Sequence, residues 1–411
     1  MASVVINGDT SGAVTISAPA VAGTTTLTLP TTSGTVLTTA TSTGISGSAI
    51  SSGTVAEAYG GTGTNTGYYG FKNRIINGAM VIDQRNAGAA ITANGYSVDR
   101  FEYANFTDGA FSVQQDTTVP AGFIKSLKVT VTSADASVTT NQSAFISQKI
   151  EGLNCADLGW GAAGAQSVTF SFWVRSSLTG TFGGSFRNNA TDRSFPYSYT
   201  ISVANTFEYK TITIDGDTSG TWLTTNGVGI NIGFSLAAGP SVVGTADAWA
   251  AANYVSASST TNIVSTNGAT FFITGVQLEK GSTATSFDYR PVGTELALCQ
   301  RYLPAFTAIS GTIGPLPGMG TALGTNCVLI FNHPVPARVP GTGVTVSSNS
   351  HFNFSNNDGN SASTAVSFAA GSPNATQIGI TVAVTRGATT TPGWFYANNA
   401  TAYLYITGCE L

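Results

Sequence analysis

Residues 167–175 read SVTFSFWVR, and in this run large apolar side chains stand at every second position. Those positions are Val168, Phe170, Phe172 and Val174. Side chains of a β-strand point alternately to opposite faces, so the pattern predicts an antiparallel strand with one buried face. We therefore expect Phe170 and Phe172 to point into the same core.

Runs of the same kind recur on both sides of this segment, between residues 66 and 292. No helical pattern separates them, and they follow one another at the short intervals typical of β-sandwiches. We therefore predict one all-β domain over residues 66–292, and the pattern favours a jelly roll. Its other predicted strands are 109–114, 125–132, 143–151, 196–203, 207–214, 228–236 and 270–280.

The composition of the 411 residues agrees with an all-β protein. Charged residues make up 9% of the chain, where about a quarter is usual, while hydrophobic residues reach 42%. Long helices need more Leu, Glu, Lys and Arg than this. The weak net charge of −4, without a basic stripe, argues against nucleic-acid binding, and no long apolar run predicts membrane insertion. The N-terminus lacks the pattern of a Sec signal peptide, so we expect synthesis in a cytoplasm.

The first 65 residues differ from the rest, because no aromatic residue appears before Tyr59. Turn signals separate isolated pairs of apolar residues. The pairs are Val14/Ile16, Leu27/Leu29 and Val36/Leu37. A single chain of this kind cannot bury a core, but three copies wound about one axis would cover each other. We therefore predict a fibrous segment over residues 1–65 in a parallel homotrimer, with a disordered linker as the alternative.

The β pattern is interrupted by one helical segment. Pro291 ends the last strand, Thr294 can cap a helix, and Leu296 and Cys299 follow at helical spacing. These signals predict a connecting helix over residues 293–302. Its apolar stripe is short but could line a three-fold axis.

Residues 303–411 are predicted to form a β-sandwich-like tip domain. Its strand-like runs are 326–331, 343–347, 378–385 and 402–407. Two aromatic–amide stretches, 351–358 and 392–399, have the composition of glycan-binding loops, because sugar faces stack on rings and hydroxyls bond to amides. The candidate glycan-binding residues are Trp394, Tyr396, Phe352, Asn353 and Asn357. Core packing is the alternative, since strand alternation would bury either Phe395 or both of its neighbours.

The chain lacks a recognisable catalytic signature, so we predict no enzyme activity, no cofactor and no metal. Glycosidases need two facing carboxylates, and Asp215-Gly-Asp217 is expected to be a turn. His333 and His351 are too few for a catalytic zinc and match no hydrolase motif. The segment 356–359, with sequence NNDG, is also expected to be a turn, with a calcium site as the alternative.

Cysteines and tryptophans are expected to serve packing. The cysteines, expected to be buried reduced thiols, are Cys155, Cys299, Cys327 and Cys409. A bond between Cys327 and Cys409 is the alternative if the C-terminal strands adjoin. Four tryptophans of the middle domain could line a concave sheet face, but core or inter-subunit packing is favoured. They are Trp160, Trp173, Trp222 and Trp249.

The middle of the chain resembles a module that recurs in tail proteins of bacteriophages and prophages. The matching segments, in order, are NRIINGAMVIDQRNAG with YSVDRF (73–101), SVTFSFWVRSSLTGTF (167–182), ISVANTFEYKTITIDGDTSGTW (201–222), ATFFITGVQLEKGSTATSFDYRP (269–291) and GTELALCQRY (293–302). Residues 13–39 and 57–67 are similar to the leading segment of many tail fibres. The resemblance implies a jelly roll like that of carbohydrate-binding modules, on a trimeric fibre, and transfers no catalytic residue.

This resemblance predicts a tail-fibre protein of the virion. The N-terminal segment would dock on other tail or baseplate proteins, and residues 303–411, outside the module, would bind host polysaccharide or lipopolysaccharide. Several weak sites on one trimer would raise the effective affinity. Two alternatives remain open: a tailspike that degrades polysaccharide, and a bacterial surface adhesin.

Overall fold

The structure, a computed structural model, describes residues 3–7, 13–17, 71–308, 314–357, 359–369, 373–388 and 392–411. The chain divides into two compact units, Met1–Gly53 and Thr54–Leu411. Strands make up most of the regular structure in the described part of both units. The predicted all-β class is therefore confirmed.

The described part of the first unit is an antiparallel hairpin. Strand β1 (Ser3–Asn7) pairs with β2 (Ala13–Ser17), and Val4 lies opposite Ile16. The first apolar pair, Val14 and Ile16, therefore lies in β2. The other two apolar pairs lie outside the described residues, and the fibrous homotrimer stays a prediction.

The second unit begins with a sandwich of two antiparallel sheets, which we call the sandwich domain. Its strands are β3 (Gly95–Val98), β4 (Phe101–Asn105), β5 (Ala110–Asp116), β6 (Ser126–Ser133), β7 (Ser143–Glu151), β8 (Val168–Ser176), β9 (Gly180–Arg187), β10 (Ser194–Ile201), β11 (Glu208–Ile214), β12 (Val228–Ala238), β13 (Val243–Gly244), β14 (Ser256–Ala257) and β15 (Thr270–Lys280). One sheet has the order β10-β9-β12-β7-β4-β3, and the other has the order β11-β8-β15-β6-β5. The short strands β13 and β14 form a separate parallel pair.

The core of the sandwich domain lies between these two sheets. β8 is an inner strand of the five-stranded sheet, between the edge strand β11 and the central strand β15. Phe170 and Phe172 are fully buried, and both rings contact Phe234 of the opposite sheet. The expected inward direction of the two phenylalanines is therefore confirmed.

Strand β9 was not predicted from the sequence, because glycines at three of its eight positions weaken the strand pattern. The structure gives one of them a packing role. A Cβ on Gly184 would lie 2.0 Å from the carbonyl oxygen of Gly233 and 2.5 Å from the hydroxyl of Tyr197. Only glycine therefore lets these three strands pack at this point.

The connecting helix is present, as α1 (Val292–Gln300). Pro291 is the N-cap residue, and Thr294 lies inside the first turn instead of capping it. Cys299 is fully buried and clusters with Ile76 and Ile82 from the segment before β3. Cys299 of the apolar stripe is thus covered by its own chain, Leu296 is half-buried, and the three-fold axis stays a prediction.

Residues beyond the helix form a closed barrel and a small sheet. The strands are β16 (Ala305–Thr307), β17 (Gly314–Asn332), β18 (Gly343–Val346), β19 (Phe352–Asn356), β20 (Gly359–Phe368), β21 (Gln377–Ala388), β22 (Pro392–Ala397) and β23 (Tyr403–Thr407). The barrel order is β17-β21-β20-β19-β22, and the small sheet is β16-β23-β18. The expected sandwich-like arrangement closes into a barrel because the 19-residue β17 pairs with β22 through its first half and with β21 through its second.

Short 3₁₀ turns connect several of these strands. They are Gly152–Asn154, Ala156–Leu158, Pro240–Val242, Ile263–Ser265 and Asn349–His351. All four cysteines are buried, and each is a free thiol. In the described part of the chain, no helix is long and apolar enough to cross a membrane.

A buried polar interface joins the sandwich domain to the C-terminal barrel. The guanidinium of Arg100 is fully buried, binds the carboxylate of Glu410 and lies 3.6 Å from the ring centroid of Tyr302. Arg85 binds the same carboxylate at 2.9 Å. Glu410 therefore has two cationic partners from the sandwich domain, which offset the cost of burying its charge.

Burial raises the pKa of Asp99, beside this interface, to about 6, although hydrogen bonds from Gln84 favour the charged form. Because this pKa exceeds the unfolded value, the contribution of Asp99 to stability is full below about pH 4 and is lost as the pH rises through 6. We expect the stability of the wild type, relative to Asp99→Asn, to fall by about 2–3 kcal/mol across that window.

Urea unfolding of both proteins at several pH values between 4 and 7 measures this difference. Asp108→Asn, which makes the same substitution at an exposed position, is the control for the substitution itself. A wild-type-minus-Asp99→Asn difference that does not change with pH would contradict the expected titration.

Candidate functional site

Strand β22 decides which of the aromatic candidates reach the surface. Phe395 is fully buried in the barrel core, so the strand alternation turns its two neighbours outward. Trp394 is 52% exposed, and Tyr396 is half-buried on the same side. Of the two arrangements that the sequence allowed, the structure has the one that presents Trp394 and Tyr396 to solvent.

Neighbouring strands place amide groups beside these rings. Asn353 of β19 lies opposite Tyr396, and its Nδ2 donates to the Tyr396 hydroxyl at 2.9 Å. Asn398 donates from Nδ2 to Oδ1 of Asn353 at 2.8 Å. On the other side of β22, the exposed Met319 of β17 lies opposite Trp394. We call the surface formed by Asn353, Trp394, Tyr396 and Asn398 the aromatic–amide face.

Two predicted glycan-binding residues lie away from this face. Phe352 is fully buried and stacks on Phe395 at 5.1 Å, so its ring has no surface for a sugar, and this part of the prediction is wrong. It alternates with the outward Asn353 and therefore points into the barrel. Asn357 is exposed, but it lies in the turn that follows β19, beyond the pairing of Asn356 with Gly359.

The residues weighed for catalysis or metal binding have other partners. Asp217 is buried and forms a bidentate ion pair with Arg193 at 2.7 and 2.8 Å. Nδ1 of His351 lies 2.9 Å from the Ser347 hydroxyl, which also accepts from the backbone N–H of Tyr403, so this pair orders the start of β19. The described residues contain no group of three or more His, Cys, Asp or Glu side chains that could hold a metal. Asp358, from the alternative calcium site, lies outside the described residues.

Burial lowers the pKa of the other histidine, His333, and its Nδ1 lies 3.1 Å from the carbonyl oxygen of Ala375. This histidine is buried at the end of β17. The His333 imidazole thus links the end of β17 to the segment before β21.

Three of the four tryptophans of the sandwich domain pack on one another. Trp160, Trp222 and Trp249 make mutual edge-to-face contacts with ring centroids 4.8 to 5.4 Å apart. The prediction that these tryptophans serve packing is therefore confirmed for Trp160, Trp222 and Trp249. Trp173 is separate from them and half-buried on the outer side of β8.

Solved structures of several proteins are similar to about half of this chain. No protein-family model matches it, and no curated protein matches it. Among solved structures, the enzymatically active domain of tailspike protein 4 of bacteriophage CBA120 aligns at 14% identity over 51% of this chain and 22% of that chain, with a TM-score of 0.29. A putative sugar-binding protein from Bacteroides thetaiotaomicron aligns at 13% identity over 51% of this chain and all of that one, with a TM-score of 0.29. A CBM4 structure aligns at 14% identity over 50% of this chain and 98% of that one, with a TM-score of 0.26.

Proposed function

We propose that this protein is a tail fibre of a tailed bacteriophage that adsorbs to host cells by binding surface glycans through its aromatic–amide face. The observation that carries the proposal is the indole of Trp394, which is 52% exposed on an ordered barrel strand. The protein would be made in the host cytoplasm and act in the virion tail, without enzyme activity of its own.

The chemistry of the face suits a sugar. The apolar C–H face of a pyranose can stack on Trp394, as apolar groups pack on aromatic rings in general. Next to this ring, Tyr396 and Asn353 are already linked by a hydrogen bond, so their remaining donors and acceptors have fixed directions for sugar hydroxyls. The face therefore combines a stacking surface with preoriented polar groups.

Binding is favoured over hydrolysis because of the side chains that the face presents. Among the described residues that point outward from β17, β22 and β19 around Trp394, none carries a carboxyl group. A glycosidase mechanism requires two carboxyl groups at the bond that breaks. We therefore propose a site that holds the glycan and leaves it intact.

Assembly would make weak sites sufficient. We propose a parallel homotrimer that docks through residues 1–65 on other tail or baseplate proteins and exposes three aromatic–amide faces to lipopolysaccharide or capsule. Linked sites bind the second and third glycans as intramolecular events, so avidity exceeds the affinity of one site.

Replacing Trp394 with Ala should lower the glycan affinity of each site roughly five- to tenfold, because stacking on an exposed ring contributes about 1 kcal/mol. Adsorption to host cells should fall at least as much. The melting temperature and the native mass should stay unchanged, since the side chain is largely outside the barrel core. Cell-binding assays, thermal melting and sedimentation on the same preparations measure the three quantities.

Ile330→Ala is the matched control, because Ile330 is 54% exposed on β17 and lies opposite Gly379, on the β21 side of the barrel. It should leave adsorption unchanged. Adsorption by Trp394→Ala equal to that of the wild type would contradict the proposed site, and a monomer in sedimentation would contradict the trimer. Shortened glycans after incubation with capsule or lipopolysaccharide would indicate a depolymerase, and absence of the protein from imaged virions would indicate an adhesin.

A further inference from the structure

A groove of about 550 Å³ lies on the outer side of the five-stranded sheet, in the sandwich domain. Two groups of aromatic rings form its walls. On one side Trp173 of β8 lies beside Tyr209 of β11, with ring centroids 5.4 Å apart. The other wall is a cluster of three rings with centroids 4.8 to 5.5 Å apart, from Phe123, Phe287 and Tyr289.

Solvent reaches both walls of the groove. Tyr209 is 43% exposed on the first wall and Tyr289 is 58% exposed on the second. Trp173, Phe123 and Phe287 are half-buried. Rings of this size cover their apolar faces when packing is their only role, so exposed rings on two facing walls point to a ligand.

The indole N–H of Trp173 differs from those of the other three tryptophans in the sandwich domain. The indoles of Trp160, Trp222 and Trp249 donate to backbone carbonyl oxygens at 2.8, 3.1 and 2.8 Å, respectively. Trp173 donates to no residue in the described part of the chain. It therefore offers an unused donor in the wall of an aromatic groove, where a ligand hydroxyl could accept it.

One glycine at the base of the groove allows the two walls to approach. Gly275 has a φ of +60° at an irregular position of β15, where the pairing with β8 shifts register. A Cβ there would lie 2.6 Å from the ring of Phe123 and 3.0 Å from the ring of Trp173. A side chain at this position would push the walls apart and fill the base of the groove.

The lining selects the chemical class of the ligand. None of the ten described lining residues carries a charge, so nothing in the groove would offset the desolvation of a charged ligand. Hydroxyl groups of Ser286 and Tyr209 lie among the rings. The volume is within the range of small-ligand sites and exceeds the space that one apolar side chain of a partner needs. A neutral sugar chain matches this lining. Its apolar ring faces can stack on the aromatic rings, and its hydroxyl groups can bond to the hydroxyls between them.

We infer that the groove between Trp173 and Tyr289 is a second glycan-binding site, specific for a neutral oligosaccharide held between its two aromatic walls. This site is separate from the aromatic–amide face, which lies on the barrel, so the inference goes beyond the proposed function and does not depend on it.

The test is a calorimetric titration of the full chain. The neutral probes are maltohexaose, cellohexaose and mannohexaose, and the anionic probe is oligogalacturonate. At least one neutral probe should bind. Trp173→Ala and Tyr209→Ala should each raise its Kd about tenfold, since each removes a stacking ring. Tyr209 is exposed, so its variant keeps the test valid if Trp173→Ala fails to fold.

Phe106→Ala is the matched control, because Phe106 is 59% exposed on the sandwich domain and is not part of the groove. It should leave the Kd unchanged. The inference is overturned if no neutral probe binds at millimolar concentration, if only oligogalacturonate binds, or if both groove variants bind like the wild type. Loss of binding with Trp394→Ala alone would place the neutral site on the barrel and also overturn it.

Discussion

Replacing Phe172 with Ala should lower the free energy of unfolding by about 3–5 kcal/mol, the usual loss for a buried aromatic residue. Its side chain has no exposed surface, and its ring contacts Phe170, Tyr199 and Phe234 at centroid distances of 4.9 to 5.1 Å. These partners belong to both sheets. Truncation would therefore leave a cavity at the point where the sheets meet, and neighbouring rings cannot collapse into it without breaking their own contacts.

Urea unfolding, followed by tryptophan fluorescence and circular dichroism, measures this loss. Tyr209→Ala is the matched control, since it truncates an aromatic residue that pairs with β8 but is 43% exposed on the outer side of the same sheet. Its loss should stay near 1 kcal/mol or below, as is usual at the surface. If Phe170→Ala and Phe172→Ala both cost less than about 1 kcal/mol, the inward face of β8 would be the opposite one.

Strands in which apolar and polar residues alternate regularly could be predicted from the sequence. β7 and β15 have the predicted bounds, 143–151 and 270–280, because their apolar runs end at clear turn signals. β20 (Gly359–Phe368) has only small and polar residues over its first half, and it was missed. Its strand state depends on pairing with β19 and β21, which tertiary structure supplies and local sequence does not.

The sequence limited β22 to two arrangements, with either Phe395 or both of its neighbours buried, but it could not decide between them. Alternation linked the direction of Trp394 to that of Tyr396, yet the side of β22 that faces the core depends on where β17 and β19 pair with it. The sequence offered a tryptophan-lined sheet face only as the alternative to packing, and of the four tryptophans named for it Trp173 alone lines the groove. Its walls come from four segments, around residues 123, 173, 209 and 287, that are separate in the sequence, and only the folded sheet brings them together.

The module segments that resemble phage tail proteins turn out to include buried polar networks. Asn77 has a φ of +60°, its Nδ2 donates to the carbonyl oxygens of Ile82 and Asp99, and its backbone N–H donates to the Glu295 carboxylate. The last contact spans 218 positions. A sequence pattern can mark such residues as unusual, but it cannot give their partners.

Replacing Arg301 with Ala should cost about 3–5 kcal/mol, because it removes one partner from a buried ion pair. Arg301 donates from Nε and Nη2 to the Glu151 carboxylate at 2.9 and 2.6 Å, and the Tyr302 hydroxyl donates to the same group at 2.7 Å. Glu151 is 1% exposed, so without Arg301 its charge would stay buried with a neutral donor only. Arg301 also joins the two parts of this unit, since its carbonyl oxygen accepts from Arg338 at 2.8 Å.

A double-mutant cycle separates the loss of attraction from the penalty of the uncompensated charge. Adding Glu151→Gln to Arg301→Ala should recover part of the lost stability, because the remaining side chain is then neutral and still accepts from Tyr302. Arg301→Lys keeps the positive charge but cannot bind both carboxylate oxygens in the same way, so its loss should be intermediate. Unfolding in urea of the wild type, Arg301→Ala, Glu151→Gln and the double variant gives the coupling energy directly. Additive losses, with no recovery in the double variant, would mean that the pair contributes only packing and that the two parts of the unit are held together by other contacts.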